Sequence, residues 1–175
     1  MVGGAVAVAL VVLLLASVKA YRVPASSMEP TLHCARPGAG CEAAHSDRVI
    51  ALRYRWPFRG PRRGDLAVFR TTRRAAATCG VAGTYIKRVI GLPGETVAER
   101  AGGILVDGRR LREPYVKRHD EESQQPRRVP ADSYYVLGDA RAQSCDSRVW
   151  GPVPRRNLIG RVVATYWPPS RVALR

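Results

Sequence analysis

Three short segments carry side chains whose types and spacing could do chemistry. The first, Pro24-Ala25-Ser26-Ser27-Met28-Glu29-Pro30-Thr31-Leu32, sets hydroxyls beside apolar groups, although a polar linker could have the same composition. The second is Tyr85-Ile86-Lys87-Arg88-Val89-Ile90-Gly91. In an extended chain, alternation puts Tyr85, Lys87 and Val89 on one face and Ile86, Arg88 and Ile90 on the other. A lysine on such a mixed face usually snorkels to water. One held under apolar cover loses proton affinity, because burial disfavours the ammonium, and its neutral amine can then take a proton near neutral pH. The third, Gly138-Asp139-Ala140-Arg141-Ala142-Gln143-Ser144-Cys145-Asp146-Ser147-Arg148, gathers acids, arginines and serines in a loop after a strand. A turn held only by Asp–Arg pairs is the plainer reading of it.

The elements that must position these segments read as strands. Short apolar, β-branched runs recur at Arg48–Tyr54, Asp65–Phe69, Thr84–Ile90, Ile104–Val106, Ser133–Leu137 and Leu158–Trp167, separated by Arg-Gly, Leu-Pro-Gly, Asp-Gly and Gly-Asp punctuation. That pattern predicts a mostly-β domain with hairpins. Asp107-Gly108 is a two-residue hairpin turn joining Gly103–Val106 to Arg109–Leu111. Lys117–Arg128 is charged and polar and reads as a mobile loop. No helical periodicity of useful length follows the N-terminal apolar segment, and a helix starting at Ser27 would be cut short by Pro30.

A chain of 175 residues has room for one domain and an appendage. The appendage is N-terminal: Val2–Val18 holds neither charge nor proline. At ~1.5 Å per residue it would span roughly 25 Å as a helix, the short end for a bilayer crossing. It lacks the basic start of a cleaved leader, and Val18-Lys19-Ala20 is a poor cleavage site, so an uncleaved anchor is expected. Lys19 and Arg22 alone would hold the following side in the cytoplasm, but a large domain translocates regardless of such charges. The net charge of +15, nearly all arginine, favours anionic surroundings, either nucleic acid or an acidic membrane face. Arginines spread along the chain fit a general surface property better than a nucleic-acid patch. Cys34, Cys41, Cys79 and Cys145 form no C-x-x-C pair, and His33, His45 and His119 form no ligand pattern with them, so no metal site is expected. Two disulfides are expected, Cys34 with Cys41 around a Pro/Gly loop and Cys79 with Cys145; four reduced thiols are the alternative.

Four segments then acquire meaning from their order. S-M-E-P-T-L (Ser27–Leu32), R-G-D-L-A-V-F (Arg63–Phe69), Y-I-K-R-V-I-G-L-P-G (Tyr85–Gly94) and G-D-x-R-x-x-S-x-D-S-R-x-x-G (Gly138–Gly151) together resemble the motif boxes of bacterial type I signal peptidases. The likeness runs from about Arg22 to Arg171. The cysteine loop after S-M-E-P-T-L-H and the W-P-P-S-R close (Trp167–Arg171) look most like actinobacterial members. The stretch Gly103–Tyr115 resembles the bacterial and plastid enzymes.

The resemblance implies an antiparallel, mostly-β signal-peptidase fold, related to that of self-cleaving repressors, behind one N-terminal transmembrane helix. Residues 1–20 would be the anchor and 21–175 the catalytic domain, with a hairpin and loop extension at about 95–132. Ser27 matches the nucleophile, Lys87 the general base, and Ser144 the serine that orients the lysine. Asp146 and Arg148 match a structural ion pair beneath the site. A serine hydroxyl needs such an adjacent base, and lysine serves only if its pKa falls several units from ~10.4. The Ser27 N–H would be one oxyanion donor. Many members carry a serine where Ala25 stands, and its hydroxyl is the second donor; losing one donor can cost about 10²–10³ in rate. Asn is common at the position of Ala140 and aspartate at that of Glu95.

The expected substrates are signal peptides of secreted preproteins, cut after small residues in an Ala-x-Ala pattern, with no cofactor and no nucleic acid. A monomer is expected in the lipid bilayer of the cytoplasmic membrane, its domain on the extracytoplasmic side, or alternatively in a thylakoid membrane. The alternative from another class is a catalytically weak or inactive basic module that binds a membrane surface.

Overall fold

The computed structural model describes residues 17–54, 60–80, 82–117 and 119–175, whose strands form two antiparallel sheets. The larger runs in the order β1 (Val18–Arg22), β2 (Arg48–Arg53), β11 (Leu158–Trp167), β3 (Leu66–Arg70), β4 (Thr84–Gly91), β9 (Ser133–Leu137) and β10 (Val153–Pro154), with β12 (Ala173–Leu174) beside β11. The smaller runs β7 (Arg109–Arg110), β6 (Gly103–Val106), β5 (Thr96–Arg100) and β8 (Gln124–Arg128).

The inner strands of the large sheet carry apolar side chains on both faces, so both faces must be covered. On one face Ala67, Phe69, Val89, Tyr134 and Val136 pack with Ala75 of helix α1 (Arg73–Cys79) and Trp150 of helix α2 (Ser147–Trp150). On the other, Val49, Leu66, Val68 and Val162 receive Val23, Met28 and Leu32. Farther along that face Ile90, Tyr135 and Leu137 pack against Val97, Ile104 and Val106 of the small sheet. The extension expected at 95–132 is therefore a second sheet with its own buried face.

The expected runs become β2, β3, β4, β6, β9 and β11. β6 returns into β7 through Asp107 and Gly108, both at positive φ (48° and 77°), the hairpin geometry anticipated there. Two readings change. Residues 73–79, given no helix, form α1: Thr72 Oγ1 accepts the Ala75 N–H at 3.0 Å, and Gly80 closes the helix at φ 71°. The segment read as a mobile loop, Lys117–Arg128, ends in β8, which pairs with β5. Its backbone finds partners although its side chains show no apolar alternation.

The expected anchor falls mainly outside the described residues. Of its span, Val18, Lys19 and Ala20 stand in β1, paired with Leu52, Ala51 and Ile50. Among the described residues no helix is long and apolar enough to cross a membrane.

Candidate active site

Lys87 lies in β4 opposite Ala67 of β3, on the face shared with Phe69 and Val89. It is 2% exposed. Burial lowers the amine's pKa from 10.5 to about 8; Asp146 and Asp139 pull upward and Arg148 pushes down, each less than burial does. Nζ donates to the hydroxyl of Ser144 at 2.8 Å, and among the described residues it forms no ion pair with a carboxylate. The Tyr85 ring centroid lies 5.8 Å from Nζ. A neutral amine in this setting can accept a proton, and its hydroxyl neighbour fixes the direction from which it does so.

Ser144 comes from the loop after β9, which begins at Gly138. A Cβ on Gly138 would stand 2.2 Å from Ser144 Oγ and 2.4 Å from the Ser27 carbonyl oxygen, so only glycine lets these two segments meet. The Ala140 N–H donates to the same Ser27 carbonyl at 3.2 Å. Ser27 itself sits in the 3₁₀ turn Ser26–Met28, closed by Glu29 N–H to Ser26 O at 2.9 Å. Buried Met28 and Leu32 anchor that turn in the core, and Pro30 stops it from growing into a helix. The fold thus brings Ser27 beside Ser144, and Ser144 onto the lysine amine.

Asp146 and Arg148 pair in the same loop. Arg148 Nε and Nη2 donate to the Asp146 carboxylate at 2.9 and 3.0 Å, and Asp146 also accepts the Gly138 N–H at 3.1 Å. Asp146 caps α2 through the Arg148 N–H, so one carboxylate serves helix, loop and arginine. Ala25 precedes the 3₁₀ turn in extended backbone (φ −136°, ψ 154°) and is exposed. The Ser26 hydroxyl faces Gly40, whose φ is 70°; a Cβ there would lie 2.8 Å from Ser26 Oγ and 2.2 Å from Gln143 Oε1. The Cys34–Cys41 and Cys79–Cys145 sulfurs stand at bonding distance, in the expected pairing. The second pair ties the end of α1 to the residue after Ser144.

Three of the ion pairs that the sequence reading did not anticipate lie close to the site. Arg88 donates to both oxygens of Asp139 at 2.9 and 2.6 Å and stacks 3.8 Å from the Tyr115 ring centroid. Arg141 is clasped by Glu113, and Arg148 by Asp120 as well as Asp146. The alternation at β4 hinted at the first, since it turned Arg88 to the apolar face opposite Lys87, where a charge needs a partner. Nothing in the spacing signalled the other two.

A family model described as "Signal peptidase, peptidase S26" matches residues 1–167. The chain is 41% identical over 155 residues to a signal peptidase I of Leptolyngbya laminosa, covering 88% of this chain and 71% of that protein. It is 35% identical over 154 residues to a probable thylakoidal processing peptidase 2, chloroplastic, of Arabidopsis thaliana, covering 86% of this chain and 38% of that one. It is 30% identical over 198 residues to a signal peptidase I of Mycobacterium tuberculosis, covering 86% and 65%. A mostly antiparallel β fold, with a buried lysine bound to a serine, thus accompanies the family's sequence: the chain belongs to the peptidase S26 signal peptidase family and is a serine peptidase, a hydrolase. The actinobacterial likeness expected from the cysteine loop and the five-residue close is not confirmed: the cyanobacterial relative is 41% identical and the mycobacterial one 30%.

Proposed function

We propose that this peptidase removes signal peptides from preproteins through a Ser27–Lys87 dyad. Support comes above all from Lys87, buried and hydrogen-bonded to Ser144 at 2.8 Å beside the Ser27 turn. Ser27 Oγ attacks the scissile carbonyl while the neutral Lys87 amine takes its proton. The resulting ammonium protonates the leaving amine, and the signal peptide remains esterified to Ser27. Lys87 then deprotonates a water that hydrolyses the ester. The Ser27 N–H stabilises the oxyanion; Ala25 offers no hydroxyl for that task. Small residues flank the cut, in an Ala-x-Ala pattern. The apolar segment before Ser17 anchors a monomer in the lipid bilayer, with the domain on the extracytoplasmic side of a cytoplasmic membrane or in a thylakoid.

Incubation of the detergent-solubilised protein with a model preprotein tests this. The shorter product should form with the wild type and vanish with Ser27→Ala and with Lys87→Ala. Turnover by either variant at the wild-type rate sinks the dyad.

A further inference from the structure

The segments that join the strands of the small sheet reach into the site through Glu113 and Asp120. Glu113, on the segment after β7, binds Arg141 through both oxygens, at 3.0 and 2.5 Å, with the two side chains 2% and 0% exposed. Tyr115 Oη donates to the same carboxylate at 2.8 Å and fixes its angle. Arg141 Nε in turn donates to the Gly138 carbonyl at 3.1 Å. Asp120, before β8, binds Arg148 Nη1 at 2.6 Å, and Glu99 of β5 stands 3.6 Å from the same nitrogen. Arg148 Nη2 donates to the Arg141 carbonyl at 2.6 Å. Gly138 is therefore gripped at both ends, its N–H by Asp146 and its carbonyl by Arg141. Its bare α-carbon is the point where Ser27 and Ser144 converge.

We propose that Glu113 and Asp120 are positioning residues for catalysis, holding Ser144 against Lys87 through Arg141 and Arg148. This rests on the Ser27–Lys87 reading above. A desolvated guanidinium keeps its place only while its counter-charge is there. Without Glu113, Arg141 must turn toward water and release the Gly138 carbonyl; without Asp120, Arg148 Nη1 keeps only Glu99 at 3.6 Å, and the guanidinium, held then by Asp146, loses the contact that fixes its Nη2 on the Arg141 carbonyl. Either release slackens the loop that carries Ser144 and lets water reach the amine. The groups facing Lys87 itself are Asp146, Arg148, Asp139 and Tyr85, and neither substitution below replaces any of them.

The test compares full-chain Glu113→Gln and Asp120→Asn with the wild type in preprotein cleavage from about pH 6 to 10, beside Ser27→Ala and Lys87→Ala. The expected result is a kcat about tenfold lower or more, with KM nearly unchanged. The acidic limb should move to higher pH as the amine regains water, and Glu113→Asp should recover part of the rate. A folded Glu113→Gln or Asp120→Asn protein with wild-type kcat and acidic limb overturns the proposal. Activity lost only in proportion to the unfolded fraction, with the limb unmoved, overturns it too. If Glu113→Gln does not fold, Asp120→Asn decides by the same criteria. Wild-type cleavage by Ser27→Ala or Lys87→Ala would instead sink the dyad, whatever the carboxylate variants do.

Discussion

The substitution Lys87→Met should abolish activity and stabilise the protein. The amine is 2% exposed, and burial takes its pKa from 10.5 to about 8. At about 1.4 kcal/mol per pH unit, folding at neutral pH therefore carries a desolvated ammonium at a cost of roughly 3 kcal/mol. The folded pKa lies below the unfolded one, so between about 8 and 10.5 the unfolded chain binds more protons and wild-type stability rises with pH. Methionine keeps the length of the side chain, drops the charge and removes that dependence. For a domain of this size the gain corresponds to about 6–12 °C in Tm. Thermal unfolding by circular dichroism at pH 7 and pH 10 measures it: the Tm gap between the Lys87→Met variant and the wild type should be wide at the first pH and nearly closed at the second. A gap that does not change with pH, or a variant less stable at both, refutes burial as the cause of the low pKa. In the wild type the same pKa predicts that kcat/KM rises about tenfold from pH 7 to 9 as the neutral amine is populated.

Gly138→Ala places a methyl 2.2 Å from Ser144 Oγ and 2.4 Å from the Ser27 carbonyl. It should cut kcat by about 10² in the cleavage assay, as a displacement near 1 Å does. Reduction of Cys79–Cys145 frees the residue next to Ser144 from α1, and activity should fall in reductant; a Cys79→Ala, Cys145→Ala protein should then be slow and indifferent to reductant, and unchanged activity on reduction refutes the link. Ala25→Ser restores a hydroxyl ahead of the 3₁₀ turn, and kcat should rise about tenfold or more if a donor is missing; an unchanged kcat would mean that another group already serves.

What the sequence reveals and hides follows burial. β2, β3, β4, β9 and β11 are inner strands, and their apolar β-branched runs announce them. β1 and β8 are edge strands of sequence VKAYR and QQPRR; an edge needs no apolar alternation and tolerates proline, so neither looked like a strand. Helix α1 is barely two turns, too short for periodicity, although Thr72 and Gly80 bracket it as cap and stop. Within the site, Ser27, Lys87, Ser144, Asp146 and Arg148 were legible because they lie in compact, ordered motifs. Glu113 and Asp120 were not, since each meets its arginine across 28 residues and only the docking of the small sheet brings them together.

The place of β11 has a consequence for the birth of the enzyme. Its ten residues, Leu158–Trp167, lie between β2 and β3 and pair with both. The Ser27 turn precedes β2 and Lys87 lies in β4, so the ladder that joins their strands closes only when β11, the last long strand in the chain, takes its place. Met28 and Leu32 can pack on β3 before that, but ladder pairing of β2 with β3 awaits β11, a non-local step of the kind that is slow. Chain order thus makes completion of the sheet beneath the site a late event in folding.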